Sequence, residues 1–129
     1  MCQTAVRVIK RVSKRILVVE DDNLVANVLI RAIHRKGHEA VHARSMAEAD
    51  NILASTRVEG AVIDLWLDEG SGIEVANLIH RCDAEIPVVF FSGDTTSELA
   101  TQARSIAPVL RKGDSLGVIL TKLFETLGA

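Results

Sequence analysis

Short apolar runs of strand length alternate along this chain with segments whose apolar residues recur at helical spacing. Ile16-Leu17-Val18-Val19 is an unbroken, largely β-branched run that stops abruptly at Glu20-Asp21-Asp22, as a strand covered on both faces does. From Asn23, read as an N-cap, Leu24, Val25, Val28, Leu29, Ala32 and Ile33 hold one helical face until Gly37 ends the segment. Glu39 to Ala43 is a weaker second strand. Ser45, with Glu48 three residues on, has the form of a capping box ahead of a helix bearing Met46, Ala49, Ile52 and Leu53. The alternation then repeats. Gly60 to Ile63 is a third strand ending at Asp64, and an irregular loop passes Gly70 and Gly72 to a helix through Ile73, Ala76 and Ile79. Ile86 to Phe91 is the most apolar strand, with Pro87 at its entry, where a missing N–H is tolerated. Ser92-Gly93-Asp94 breaks it, and a helix of about ten residues starts at Thr95. Val109-Leu110-Arg111 is a short fifth strand, and Ser115 to Leu127 is a closing helix that buries Leu116, Ile119, Leu120, Leu123 and Leu127.

Five strand–helix units in strict alternation predict an α/β domain. Its parallel sheet carries helices on both faces, because successive parallel strands are joined by right-handed crossovers. No linker, repeat or low-complexity tract interrupts the pattern. A chain of 129 residues suits one compact domain, here 15–129, that needs neither disulfides nor a structural metal.

Charge adds an asymmetry. Arg7, Lys10, Arg11, Lys14 and Arg15 all precede the first acid, so residues 1–14 read as a basic, solvated and mobile extension. The rest of the chain holds all 17 acidic side chains. Such an acidic body is a poor match for a phosphate backbone, which argues against nucleic acid as a direct partner. No stretch approaches the ~20 apolar residues of a membrane span, and the N-terminal stretch lacks the continuous apolar segment of an export signal. The cytoplasm is therefore the expected location. Cys2 and Cys82 have neither metal-ligand nor disulfide-framework spacing and read as incidental thiols. His34, His38, His42 and His80 are scattered, as surface or boundary residues are; only His42 falls inside a strand.

In open α/β sheets function gathers at the carboxyl ends of the strands. Those positions are Glu20, Asp21 and Asp22 after the first strand, Asp64 after the third, Ser92 after the fourth and Lys112 after the fifth. A lone aspartate there is ordinarily a helix cap or a surface acid, and a lone lysine is ordinarily solvated. Independent caps would not fill four strand ends with complementary charge, and the set points to one site.

The set resembles the response-regulator receiver family, over nearly the whole of residues 15–127. Arg15-Ile-Leu-Val-Val-Glu-Asp21 is similar to that family's opening strand and acidic pair. Asp64-Leu-Trp-Leu-Asp-Glu-Gly-Ser-Gly72 resembles its phosphoacceptor loop. Val88-Val-Phe-Phe-Ser-Gly93 resembles the strand ending in the switch hydroxyl, and Leu110-Arg-Lys112 the strand bearing the essential lysine. The resemblance implies a flavodoxin-like doubly wound (βα)5 sandwich with strand order 2-1-3-4-5. It implies a phosphoryl group accepted on Asp64 from a histidine kinase or histidine phosphotransfer protein. Mg²⁺ would be held by Asp21, Asp64 and the backbone carbonyl of Trp66, and by Glu20 through water. Lys112 and Ser92 would contact phosphoryl oxygens, while Asp22 falls outside the acidic pair. The residue types suit the chemistry. A carboxylate attacks an anionic phosphoryl donor only when the charge between them is neutralised, and Mg²⁺ prefers hard oxygen ligands.

Three positions depart from the family pattern: Gly113 where proline commonly follows the lysine, Val109 where an aromatic residue commonly reports activation, and Asp68 where the loop commonly has proline. They bear on output rather than on phosphorylation. Trp66 and Asp94 flank the expected pocket and are read as modulators of phosphoryl lifetime, with Trp66 alternatively a docking residue. One alternative is a receiver used as a docking module without phosphorylation. An aspartyl-phosphate phosphatase is disfavoured, because its general acid–base would stand two residues after the nucleophile, where Trp66 lies. A nucleotide-binding module is disfavoured by the acids after the first strand, which would repel phosphate. Met1 and the terminal helix fit a single-domain regulator, a monomer or weak dimer, acting on an output partner that the sequence does not identify.

Overall fold

The computed structural model describes residues 13–128, apart from the Leu116 side chain. Most of the basic N-terminal stretch, with Cys2, lies outside the described residues. Within them five strands and five helices alternate: β1 Arg15–Val19, α1 Asn23–Arg35, β2 Glu39–Ala43, α2 Met46–Ser55, β3 Gly60–Asp64, α3 Gly72–Cys82, β4 Val88–Ser92, α4 Glu98–Arg104, β5 Val109–Arg111 and α5 Leu116–Leu127. The strands form one parallel sheet in the order β2-β1-β3-β4-β5.

The period-2 pleat of each strand separates two apolar clusters. Leu17, Val19, Ala61, Ile63, Val88 and Phe90 pack with Ala49 of α2, Val75, Ala76 and Ile79 of α3, and Ala100 and Ala103 of α4. Ile16, Val18, Val62, Val89, Phe91 and Leu110 pack on the opposite face, with Ala26, Leu29 and Ile33 of α1 and Ile119, Leu123, Phe124 and Leu127 of α5. Central strands β1, β3 and β4 are thus covered twice, which is why they read as continuous apolar runs. No helix among the described residues is long and apolar enough to cross a membrane.

Several boundaries differ from the sequence reading, each for a local reason. Asp22, not Asn23, caps α1: its carboxylate accepts from Leu24 N at 2.9 Å and Val25 N at 3.3 Å, and Asn23 is already helical. Only half of the capping box at α2 forms. Ser45 Oγ accepts from Glu48 N, but Glu48 Oε1 reaches back to Arg44 N instead of Ser45 N. The reciprocal reach occurs at α3, where Glu74 Oε2 accepts from Ser71 N at 3.1 Å. β4 begins at Val88 because Ile86 N is drawn into a turn on Asp83 O. The helix expected from Thr95 starts at Glu98, capped by Ser97, because residues 94–96 close a turn of their own. Gly37 ends α1 as expected, with a φ of +85° that a side chain would oppose.

His38 is a correction to its surface or boundary placement. It is buried beside the Phe124 ring, and its Nδ1 accepts from Lys14 N at 3.0 Å. It is a core histidine that fixes the entry to β1.

Candidate functional site

Strand pairing brings the expected residues to one edge. Glu20 N donates to Ala43 O at 3.0 Å, Leu65 N to Phe91 O at 3.0 Å and Lys112 N to Ser92 O at 2.8 Å. The acid-bearing end of β1, the Asp64 loop, the Ser92 end of β4 and Lys112 are therefore locked by sheet-type bonds, not carried on free loops.

The loop after Asp64 turns back on itself through a bridge between Trp66 and Ser71, and Gly72 N donates to Leu65 O at 2.9 Å. This return passes so close to β3 that a Cβ on Gly72 would lie 2.5 Å from the Asp64 carbonyl oxygen. Glycine eight residues after the aspartate is thus a steric requirement of the turn that sets the Asp64 peptide.

Glu20, Asp21 and Asp64 each offer a carboxylate oxygen within 4.8 Å of the others. Glu20 and Asp64 are buried and Asp21 is half-buried. Lys112 Nζ lies 3.0 Å from Glu20 Oε1 and 3.3 Å from Asp64 Oδ2, and 5.6 Å from the centroid of the Phe91 ring. One lysine thus bridges the two buried acids of the three-acid cluster. Burial, then a hydrogen bond with Asp64 and its charge, push the Glu20 carboxyl up to about 7 against the pull of Lys112. Burial also opposes ionisation of Asp21, but hydrogen bonds with Glu20 and Asp68 hold its carboxyl below the ordinary value. The Lys112 ammonium is held above its ordinary value: burial lowers it, but contact with Glu20 and the charge of Asp64 outweigh that.

A divalent cation fits this donor set. Glu20 Oε1 is buried without a hydrogen-bond donor. The Lys112 ammonium, 3.0 Å away, offsets its charge. A carboxylate oxygen in that condition is suited to a metal-bound water. Asp21 and Asp64, with the Trp66 carbonyl, would supply the hard oxygen ligands such an ion takes.

Ser92 is fully buried at the end of β4, with its hydroxyl turned into the following loop. Oγ donates to Asp94 O at 2.8 Å and accepts from Asp94 N at 3.2 Å. The Asp94 carboxylate accepts from Thr96 N at 2.8 Å and Thr96 Oγ1 at 2.9 Å, and these bonds hold it below the usual carboxylate range. Trp66 N donates to Asp64 Oδ1 at 3.2 Å, while its side chain is 52% exposed, facing outward as expected for that loop. It borders a groove lined by Ser97, Glu98, Leu99 and Gln102. Val109 is half-buried against the α2–α3–α4 cluster.

Asp68, noted in the sequence only as a departure, is a fourth acid at the mouth. Its hydrogen bond to Asp21 and the charge of that group hold its carboxyl above the ordinary value. No sequence period reaches into the returning loop, so this contact left no signal. His42 makes a second unforeseen contact: its Nε2 lies 2.7 Å from Glu20 O. Cys82 is exposed and unpaired.

The profile of the response regulator receiver domain matches residues 16–108, a span that stops short of Lys112. The nitrogen assimilation regulatory protein NtrX of Azorhizobium caulinodans is 32% identical, over 87% of this chain and 26% of that protein. The response regulator receiver protein CpdR of Brucella abortus is 30% identical, over 62% of this chain and 67% of its own. The chain therefore spans about a quarter of the first relative's length and two thirds of the second's. Among solved structures, the non-phosphorylated HemR receiver domain of Leptospira biflexa superposes with a TM-score of 0.81 at 23% identity, covering 91% of this chain and 96% of that one. The receiver domain of the sensor histidine kinase PA1611 of Pseudomonas aeruginosa, solved with magnesium in its active-site cleft, gives 0.77 at 15% identity, covering 92% and 100%. These likenesses establish the fold.

Proposed function

The chain belongs to the response regulator receiver domain family, and from that premise we propose that Asp64 accepts a phosphoryl group from a phosphohistidine donor. The donor is a histidine kinase or a histidine phosphotransfer protein. The observation that carries the reading is the buried Asp64 carboxylate set between the Glu20–Asp21 pair and the Lys112 ammonium, 3.3 Å away.

In the transfer, an Asp64 oxygen forms the new P–O bond while the P–N bond to the donor imidazole breaks. The leaving ring takes its proton from solvent. Mg²⁺, held by Asp21, Asp64 and the Trp66 carbonyl with Glu20 through water, would offset the charge of the incoming phosphoryl oxygens. Lys112 is already poised over Asp64 and pairs with one phosphoryl oxygen as a point charge. Ser92 leaves the Asp94 peptide to donate to another. In hydrolysis a water oxygen forms the new P–O bond as the acyl P–O bond to Asp64 breaks, giving inorganic phosphate and the free carboxylate.

Without a bound phosphoryl group, Lys112 compensates the acids, so a small phosphodonor meets a site already arranged for its oxygens. The proposed role is that of a signalling module in a two-component system or phosphorelay, its output passing through contact with a partner. Trp66 and Asp94 tune phosphoryl lifetime. Val109, too small to swing as an aromatic ring would, leaves output to the β4–α4 loop. The test is incubation with acetyl phosphate and Mg²⁺, read by intact mass. One phosphoryl group should be added, and none to Asp64→Asn. Equal labelling of the Asn variant would place the acceptor elsewhere.

A further inference from the structure

The two peptide units that flank the Glu20 Cα are each held by the edge strand. Parallel pairing of β1 with β2 runs through Val19 and Ala43. One residue beyond, Glu20 N still donates to Ala43 O at 3.0 Å. The Glu20 carbonyl takes its partner from a side chain: His42 Nε2, at 2.7 Å. A carbonyl only accepts, so Nε2 carries the proton in this contact. His42 pairs with Val18 in the register and reaches two residues further along β1, half-buried on the outermost strand.

That carbonyl matters because of planarity. The Glu20 C=O and the Asp21 N–H belong to one rigid peptide unit, and both flanking side chains are acids of the site. Fixing the oxygen fixes the rotation of the whole plane, and with it the direction in which the Asp21 Cα carries its carboxylate. Asp22 N, donating to Glu20 Oε2 at 3.3 Å, closes the same turn from the other end. Without a donor at position 42 the plane is free to rotate, and the acids, which repel one another, would be expected to spread.

We propose that His42 is a positioning residue of the cation site: its imidazole N–H holds the Glu20 carbonyl and so sets Asp21 and Glu20 for a divalent ion. The inference rests on the proposed metal reading of the acidic cluster. His42 touches neither the ion nor the phosphoryl group; it acts through the Glu20–Asp21 peptide. A donor at the Nε2 position is what the role requires. Glutamine can place its amide nitrogen there, asparagine is one bond too short, and leucine has none.

The test is a Mg²⁺ titration of the full chain by calorimetry, for wild type, His42→Gln, His42→Asn and His42→Leu, with the metal-free unfolding midpoint of each measured alongside. Glutamine should keep the dissociation constant within about threefold, while asparagine and leucine raise it ~10-fold, the scale at which groups behind metal ligands act. The glutamine–asparagine contrast stands even if leucine fails to fold. Equal Mg²⁺ affinity for glutamine and asparagine, whatever their midpoints, overturns the inference and leaves His42 a sheet contact only. A wild-type chain that binds no Mg²⁺ overturns the metal reading itself, and the inference with it.

Discussion

Ser92 and Asp94 close on each other: the buried hydroxyl donates to the Asp94 carbonyl at 2.8 Å and accepts from the Asp94 N–H at 3.2 Å. Both capacities of the hydroxyl are used within its own loop. A Ser92 hydroxyl that donates to a phosphoryl oxygen must give up its bond to Asp94 O, releasing the start of the β4–α4 connection. Ser92→Ala should therefore uncouple two events. Asp64 should still be labelled by a small phosphodonor, but the amide resonances of residues 94–98 should no longer shift on labelling. The metal-free protein should also lose about 1 kcal/mol in urea unfolding, the usual worth of such a bond. Loop shifts that persist in the alanine variant would place the switch elsewhere.

The acidic cluster makes stability depend on pH with a definite sign. The Glu20 carboxyl, pushed by burial from its ordinary 4.5 to about 7, keeps a proton in the folded state that the unfolded chain has already released. Stability of the metal-free protein should fall as pH rises across that window, by on the order of 1–3 kcal/mol. Mg²⁺ bound at the proposed site would expel the proton, so stabilisation by Mg²⁺ should grow over the same window. Urea midpoints for wild type and Glu20→Gln, with and without Mg²⁺, check this. The glutamine variant should lose the Glu20 contribution to the slope, and an unchanged slope would locate the proton on another group.

The sequence made the frame of this site legible because a parallel strand covered on both faces must end where its apolar run ends. Glu20, Asp21, Asp64 and Ser92 close such runs, Lys112 follows Arg111 at the end of the short edge strand β5, and their convergence needed only the topology. Helix starts were less legible. Asp22 and Asn23 are both competent caps, and only backbone geometry decides between them; Thr95 lost its helix to a turn that Asp94 makes with Thr96. The contacts of His42 and Asp68 were hidden for another reason. One depends on the register between two strands, the other on a loop that doubles back, and neither leaves a periodic trace.

Gly72 offers a steric test of how the Asp64 peptide is set. A methyl group there would meet the Asp64 carbonyl oxygen at 2.5 Å and the Ile63 side chain at 3.0 Å. Both neighbours belong to the central strand and cannot withdraw cheaply, so Gly72→Ala should cost about 1–3 kcal/mol. It should also slow labelling by acetyl phosphate, because the Asp64–Trp66 turn must shift to make room. Gly117, where an added Cβ meets nothing within 4 Å, is the control: Gly117→Ala should leave labelling unchanged. Equal labelling rates for the two alanine variants would show that the close approach at Gly72 does not govern the nucleophile.

Trp66 stands where lifetime and recognition compete for the same side chain. Its backbone N–H is 3.2 Å from Asp64 Oδ1, so the indole departs from the rim of the site itself, and it remains 52% exposed. Water must approach phosphorus in line with the departing Asp64 oxygen, and a ring at that rim narrows the approach. Asp94 is held in a turn through Thr96, and under the shielding proposal it would form the other wall of the mouth. Trp66 shares a groove with Ser97, Glu98, Leu99 and Gln102 at the start of α4. Shielding therefore predicts that Trp66→Ala shortens the life of the phosphorylated protein severalfold, while labelling by acetyl phosphate proceeds at nearly the wild-type rate. Trp66→Phe, which restores a ring of smaller reach, should fall between the two. Tryptophan is also among the residues enriched in interface hot spots, and that role leaves a different signature. A phosphoprotein of unchanged lifetime, combined with collapse of transfer from a phosphohistidine donor, would make the indole a docking anchor and not a shield.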